Sequence, residues 1–259
     1  MPHIEIDRAR IWYTIDGRDD APALLLLHSL GTSHALWDEQ LPPLIDKYRL
    51  IRYDVRGHGK SSAPPGDFTI AQLGRDALAV LDAAGAKTAV ACGISLGGLT
   101  SIWLGQHSGG RVSKLVVANT AARHGTSEGW SERMRTVRER GMVKEAEQAL
   151  QRWFSADFLA EHPEVAARFR QIASSCPLES YVGACAALRD ADLRRDLHRI
   201  TARTLVVAGS KDLSATVADG AYLRDNIPEA RLEVLDASHL SNVERPREFS
   251  ELLADFLSS

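Results

Sequence analysis

The segment Gly93-Ile94-Ser95-Leu96-Gly97 is the most informative stretch of the chain, because it matches the pattern G-x-S-x-G between a strand-like and a helix-like stretch. We predict a strand over Thr88–Cys92 before it and a helix through Ile102 after it. Such a turn is strained, and it needs glycines where a Cβ would clash with neighbouring backbone. The N-terminus of the following helix also favours negative charge that develops at the serine. The pattern therefore predicts that Ser95 is a nucleophile at a sharp strand-to-helix turn.

Cys92 is the alternative nucleophile, since it lies close to Ser95. It falls inside the predicted strand and outside the turn, so we interpret it as a buried, small apolar residue. The chain has three cysteines, too few for a disulfide framework, and none forms a C-x-x-C pair. A reducing compartment is therefore expected.

Strands and helices alternate on both sides of the turn. The strands predicted outside it are His3–Ile6, Arg10–Asp16, Ala23–His28, Arg49–Tyr53, Lys114–Asn119, Thr204–Ala208 and Arg231–Leu235. Further helices are predicted from Thr69, near Thr216–Asn226 and over Arg247–Leu257. Thr69 and Gln72 form a capping-box pattern that starts the first of these. The alternation predicts right-handed crossovers and a doubly wound, mostly parallel sheet of the α/β class.

The alternation is interrupted once. Between about Thr120 and Ile200 the pattern is helical and rich in arginine and glutamate. The simplest interpretation is one α/β core formed by residues 1–119 and 201–259, with residues 120–200 inserted as a helical cap.

Composition excludes several classes of protein. The 259 residues are 44% hydrophobic and 25% charged, which is ordinary globular usage and excludes a disordered or low-complexity chain. The formal net charge of −3 leaves no electrostatic footprint for nucleic acid or an anionic membrane. The longest apolar run, Leu24–Leu27, is far shorter than a membrane span, and the N-terminal stretch lacks the apolar core of a signal peptide. These features predict a soluble, cytoplasmic protein and leave its oligomeric state open.

A serine nucleophile needs a general base and an acid that orients the base, and at this kind of turn the chain order is serine, acid, histidine. Asp212 comes just after the predicted strand Thr204–Ala208, and His239 just after Arg231–Leu235. Open α/β sheets build their sites past the carboxyl ends of such strands. We therefore predict that His239 removes the proton of Ser95, and that Asp212 fixes the imidazole tautomer and stabilises the imidazolium.

Other acids and bases fit this role less well. Asp236 competes with Asp212, but it lies only three residues before His239 on the same loop and is poorly placed to reach the far ring nitrogen. Two further aspartates fall in the helical insertion, Asp190 and Asp192. The remaining candidate histidines precede Ser95 or fall in predicted helices: His28, His58, His107 and His198.

Acyl transfer also needs two hydrogen-bond donors where the carbonyl oxygen becomes negative. One should be the backbone N–H of Leu96, the residue after the nucleophile. The other should come from the loop after the strand Ala23–His28, which reads His28-Ser29-Leu30-Gly31. The backbone N–H of Leu30 is our candidate for this second donor.

With these residues, the chain resembles the α/β-hydrolases and, more narrowly, is similar to the 3-oxoadipate enol-lactonases of the β-ketoadipate pathway of aromatic degradation. The resemblance extends over nearly the whole chain. It is most specific in the segments His28–Thr32, Arg52–Gly59, Cys92–Gly98, Asn119–Ala122, Arg152–Phe154 and Asp236–His239. Ser29 departs from the usual His-Gly pair of the superfamily, and the enol-lactonases tolerate serine there. The segment Asp54–Ser61 is typical of the superfamily, and we interpret it as structural.

The resemblance implies an α/β-hydrolase fold and hydrolysis of 3-oxoadipate enol-lactone, a small anionic lactone, through an acyl-enzyme. It implies no cofactor, and the sequence contains no metal-ligand spacing such as H-E-x-x-H. The alternatives are another small-molecule serine hydrolase (a carboxylesterase, a perhydrolase-like enzyme or a C–C bond hydrolase) and a non-catalytic binding protein of the same fold. The intact set of Ser95, Asp212 and His239 disfavours the binding protein.

The substrate's unreactive carboxylate calls for a cation, because burying an unpaired carboxylate is costly. Arg133 shares a predicted helix face with Trp130 and Val137, at spacings of three and seven residues. We therefore predict that Arg133 binds the carboxylate, while Trp130 and Trp153 form apolar walls. The alternative is that the stem of Arg133 covers the core and its guanidinium stays in water.

Overall fold

The computed structural model describes residues 2–259, and its centre is an eight-stranded sheet. The strands are His3–Ile6 (β1), Ala9–Asp16 (β2), Ala23–Leu27 (β3), Arg49–Tyr53 (β4), Ala89–Ile94 (β5), Val112–Ala118 (β6), Arg203–Gly209 (β7) and Arg231–Leu235 (β8). Their spatial order is β1-β2-β4-β3-β5-β6-β7-β8. The β1–β2 and β2–β4 pairs are antiparallel, and every pair from β4 to β8 is parallel. The α/β class and the mostly parallel sheet are confirmed.

Helices cover both faces of the sheet and form the region between β6 and β7. The α-helices are Leu41–Leu44 (α1), Ile70–Ala83 (α2), Leu96–His107 (α3), Ser127–Trp153 (α4), Ala156–Glu161 (α5), Pro163–Ser174 (α6), Leu178–Asp190 (α7), Val217–Asn226 (α8), Ser241–Glu244 (α9) and Pro246–Ser258 (α10). Two 3₁₀ segments span His34–Gln40 and Arg194–Arg199. The Thr69–Gln72 capping box predicted for α2 is present. Within residues 2–259, no helix has both the length and the apolar character needed to cross a membrane.

Two apolar layers bury the central strands. In β3, Leu25 and Leu27 pack into the layer on one face, and Leu24 and Leu26 into the layer on the other. All four are completely buried. This is why the strand is a continuous apolar run, as expected for a parallel strand covered on both faces.

The strand before the serine is longer than predicted. We expected it to end at Cys92, but β5 continues to Ile94, which pairs with Ala118 of β6. The ladder therefore reaches the residue directly before Ser95. The following helix, expected through Ile102, runs on to His107.

Residues 120–200 contain α4 to α7, and α4 is bent. Gly141 lies inside it with φ 78°, a left-handed conformation that glycine adopts without steric cost. Both α6 and α7 pack against α4. The bend turns the second limb of α4 back towards residues of the first limb, which affects the site described below.

Gly97 lies where α3 crosses the end of β3, and no side chain fits there. A Cβ at this position would lie 2.2 Å from the carbonyl oxygen of Leu27. We expect Gly97→Ala to lower the free energy of unfolding by about 3 kcal/mol or more, because backbone must move. Gly85→Ala is the matched control. Its Cβ would meet no described atom within 4 Å, and only its φ of 68° is unfavourable, which costs about 1 kcal/mol. Equal losses in urea unfolding would contradict the steric explanation.

Candidate active site

Ser95 lies at the strained turn between β5 and α3. Its backbone has φ 57° and ψ −115°, a conformation rare for a residue with a side chain. Neighbouring backbone holds it there: the Ser95 N–H donates to the carbonyl of Ala118 at 3.0 Å, and the Leu99 N–H donates to the Ser95 carbonyl at 2.8 Å. A Cβ at Gly93 would lie 2.2 Å from the Gly97 carbonyl oxygen. The G-x-S-x-G spacing therefore follows from the close approach of these backbones.

His239 and Asp212 meet beyond the ends of β8 and β7. Nδ1 of His239 lies 2.8 Å from Oδ2 of Asp212, and both side chains are buried. An ionised carboxylate only accepts, so Nδ1 carries the proton of this bond. Nε2, on the other side of the ring, is then the nitrogen left to act as a base.

Asp212 is held by donors on both of its oxygens. The backbone N–H groups of Ser214 and Ala215 donate to Oδ1 at 2.8 and 3.1 Å, and the Asn119 amide donates to Oδ2 at 3.1 Å. Burial acts to raise the pKa of Asp212, but His239 and these donors hold it below its ordinary value. The acid therefore stays ionised beside the imidazole.

The alternative acid and nucleophile lie elsewhere. Asp236 is exposed and forms an ion pair with Lys211 at 2.9 Å. Cys92 is completely buried in β5, and burial raises the pKa of its thiol. Neither residue lines the cavity that contains Ser95.

A cavity of about 230 Å³ lies between the ends of the strands and residues 120–200. Ser95 and His239 line it together with all the residues predicted to bind substrate: Trp130, Arg133 and Trp153. Leu30 lines it as well, which brings the predicted oxyanion loop to the same space. Leu96 is the first residue of α3, where the helix itself offers its N–H no acceptor.

His28 braces the oxyanion loop from behind. The N–H of Val55 donates to Nε2 of His28 at 2.9 Å, and Nδ1 donates to the carbonyl of Ser29 at 2.8 Å. Both ring nitrogens are thus used by a neutral imidazole. Burial and the nearby His58 lower the pKa of His28 to about 3, so the brace stays neutral near pH 7.

One buried carboxylate joins two cationic side chains that line the same cavity. Oε1 of Glu145 accepts from Nη2 of Arg133 at 2.7 Å, from the Tyr181 hydroxyl at 2.6 Å and from Arg152. Burial acts to raise the pKa of Glu145, but the two arginines hold it below its ordinary value. Two guanidinium groups against one carboxylate leave a net charge of +1. Both arginines line the cavity.

Trp130 contacts Arg133 and also forms a hydrogen bond with the loop that contains His124. The Arg133 guanidinium lies 5.1 Å from the centre of its indole ring, within the range of a cation–π contact. The indole N–H donates to the carbonyl of His124 at 2.7 Å. The guanidinium of Arg133 therefore lies among buried partners, and the interpretation that it stays in water is wrong.

Several residues of the site were not predicted. Asn119 holds Asp212, and His124 and Arg152 line the cavity. Asn119 and Arg152 belong to segments that carry the family resemblance, so that resemblance marked both positions without giving them a role. Nothing in the sequence marks Glu145, because its partners depend on the bend in α4.

Comparison with known proteins agrees with this geometry. A family model described as the alpha/beta hydrolase fold matches residues 22–246. The chain belongs to the α/β-hydrolase family. The 3-oxoadipate enol-lactonase 2 of Acinetobacter baylyi is 44% identical over 238 residues, which cover 92% of this chain and 89% of that protein. The 3-oxoadipate enol-lactonase 1 of the same organism is 39% identical over 245 residues, which cover 95% of this chain and 92% of that protein.

A solved structure extends this likeness to three dimensions. The crystal structure of the enol-lactonase from Burkholderia xenovorans LB400 has a TM-score of 0.97, 39% identity and full coverage of both chains. The predicted resemblance to the enol-lactonases within the α/β-hydrolases is confirmed.

The first test of this α/β-hydrolase site separates the two candidate acids. Asp212→Asn should lower kcat by about 10³-fold or more, because the amide favours the wrong imidazole tautomer. Ser95→Ala and His239→Ala should be at least as severe, with unchanged circular dichroism. Asp236→Asn is the matched control and should change kcat less than about twofold, since an exposed ion pair contributes little. A severe Asp236→Asn beside a mild Asp212→Asn would reverse our assignment.

Proposed function

We propose that this chain hydrolyses 3-oxoadipate enol-lactone to 3-oxoadipate through an acyl-enzyme on Ser95. Its similarity to proteins named 3-oxoadipate enol-lactonase supports the substrate. The observation that carries the proposal is one cavity lined both by Ser95 and His239 and by Arg133 and Arg152, whose paired charges with Glu145 leave a net positive charge. A small lactone with a carboxylate matches this combination of groups.

The first half-reaction opens the ring. Ser95 Oγ attacks the lactone carbonyl while Nε2 of His239 takes its proton. The backbone N–H groups of Leu30 and Leu96 stabilise the oxyanion. Collapse of the intermediate breaks the bond between the carbonyl carbon and the ring oxygen. The leaving group is an enol, and a proton from His239 and tautomerisation convert it to the ketone of the acyl chain.

The second half-reaction releases the product. His239 takes a proton from water, the resulting hydroxide attacks the acyl carbon, and the same two N–H groups hold the second oxyanion. The bond to Ser95 Oγ then breaks, and His239 returns the proton to the serine. One lactone and one water give one 3-oxoadipate, and the enzyme is regenerated.

The two arginines recognise the carboxylate that does not react. Glu145 neutralises one of the two guanidinium charges and orients both groups. The remaining positive charge lies in a partly enclosed cavity, where an ion pair with substrate is stronger than in water. Trp130 and Trp153 are the apolar walls on which the carbon skeleton packs.

Arg133→Met and Arg152→Met test this recognition, because methionine keeps much of the apolar stem and removes the charge. Each should raise KM for the enol-lactone tenfold or more, equivalent to about 1.4 kcal/mol, and barely change hydrolysis of p-nitrophenyl acetate. Loss of enol-lactone ultraviolet absorbance is the assay. Arg135→Met is the matched control, since Arg135 lies on the same helix, is 66% exposed and pairs with Glu132.

The outcomes separate recognition from chemistry. Equal losses on the anionic lactone and the neutral ester would assign the arginines a packing role. A wild-type enzyme that hydrolyses p-nitrophenyl acetate but leaves the enol-lactone intact would overturn the proposed substrate and indicate a general carboxylesterase.

A further inference from the structure

Besides His239, the buried residue His124 also lines the cavity that contains Ser95. Nε2 of its ring lies 3.2 Å from the backbone nitrogen of Ala121 and 2.9 Å from the Thr120 hydroxyl. A backbone N–H can only donate, so Nε2 is an acceptor and the ring proton is on Nδ1. Burial and the nearby His239 lower the pKa of His124 to about 4, which agrees with a neutral ring.

The Nδ1–H group is a donor without a protein acceptor. Nδ1 has no hydrogen-bond partner among the residues the structure describes. It is not completely buried, so part of its surface remains accessible. His124 lines the cavity with Ser95 and His239. An accessible donor in a residue of the cavity wall is available to a bound ligand, and without one it is an unsatisfied polar group in a largely buried residue.

The order of the strands places His124 on one side of the nucleophile. Ser95 follows β5, and the oxyanion loop with Leu30 follows β3, its neighbour on one side. The loop with His124 follows β6, the neighbour on the other side, towards β7 and β8, which carry Asp212 and His239. The oxyanion loop and the loop with His124 therefore follow the strands on opposite sides of the strand that carries Ser95.

We propose that the Nδ1–H of His124 donates a hydrogen bond to the leaving-group oxygen as the carbonyl–oxygen bond breaks. The inference rests on the proposed hydrolase function and adds a second donor beside His239. In the enol-lactone, this donor stabilises negative charge on the departing enol oxygen and then bonds the ketone oxygen of the acyl chain. His239 still supplies the proton, so His124 remains neutral throughout.

Two variants separate the ring nitrogens. In His124→Asn the side-chain amide nitrogen replaces Nδ1 and keeps a donor near the leaving oxygen, but Ala121 loses its acceptor. In His124→Gln the amide oxygen replaces Nε2 and keeps that acceptor, but the donor at Nδ1 is lost. His124→Asn should therefore keep catalytic activity and lose thermal stability, whereas His124→Gln should keep thermal stability and lose activity.

The readout is kcat/KM for acetate esters whose leaving groups differ in pKa: p-nitrophenyl, phenyl and ethyl. His124→Gln should lose less than about twofold on p-nitrophenyl acetate and about tenfold on ethyl acetate, since a poor leaving group depends more on stabilisation. His124→Asn should stay within about threefold of wild type on all three esters and unfold at a lower temperature. This crossed pattern is not expected of a purely structural residue.

Failure of this inference is distinct from failure of the proposed function. Equal losses across the three leaving groups, or equal losses in the two variants, would overturn the role of His124 and leave the triad in place. A wild-type enzyme inactive on the enol-lactone and on all three esters would overturn the hydrolase function itself.

Discussion

The left-handed backbone of Ser95 is the constraint on which the site depends, because it aims the hydroxyl away from the strand and into the cavity. A non-glycine residue in such a conformation costs about 1–3 kcal/mol, which the surrounding structure must offset. The strand ladder that reaches Ile94, the bond from Ser95 to the Ala118 carbonyl and the close packing of Gly97 on Leu27 supply that support. The last contact also ties the nucleophile to the strand that carries the oxyanion loop, so both parts of the chemistry share one rigid frame.

Charge is distributed unevenly around this frame. Asp212 is a buried carboxylate matched by His239 and three further donors, and His28 is kept neutral by its environment. Elsewhere around the cavity, Glu145 pairs with two arginines, so one positive charge is left uncompensated. An excess of positive charge on half-buried side chains in a cavity wall favours an anionic ligand, which supports the proposed substrate. The proposed substrate supplies that anion.

The parts of the molecule encoded locally could be predicted from the sequence, and the parts made by long-range contacts could not. The turn at Ser95 is a five-residue pattern, and Asp212 and His239 each follow an apolar strand directly, so one chain segment carries each signal. The predicted strand end at Cys92 is wrong, because β5 continues to Ile94, which is held in the sheet by pairing with β6. Helical periodicity placed Arg133 beside Trp130, but its bond to Glu145, twelve residues away, requires the bend at Gly141. The His124 tautomer depends on the Ala121 N–H, which a residue pattern does not encode.

The proposed mechanism requires that Ser95 becomes acylated during turnover. Rapid acid quenching of the enzyme with excess enol-lactone, followed by mass spectrometry of its peptides, tests this directly. We expect the added mass to equal that of the whole lactone, because ring opening loses no atoms. It should lie on the peptide containing Ser95 and be absent in Ser95→Ala. Product formation with no covalent adduct, or an adduct on Cys92 in place of Ser95, would contradict this mechanism.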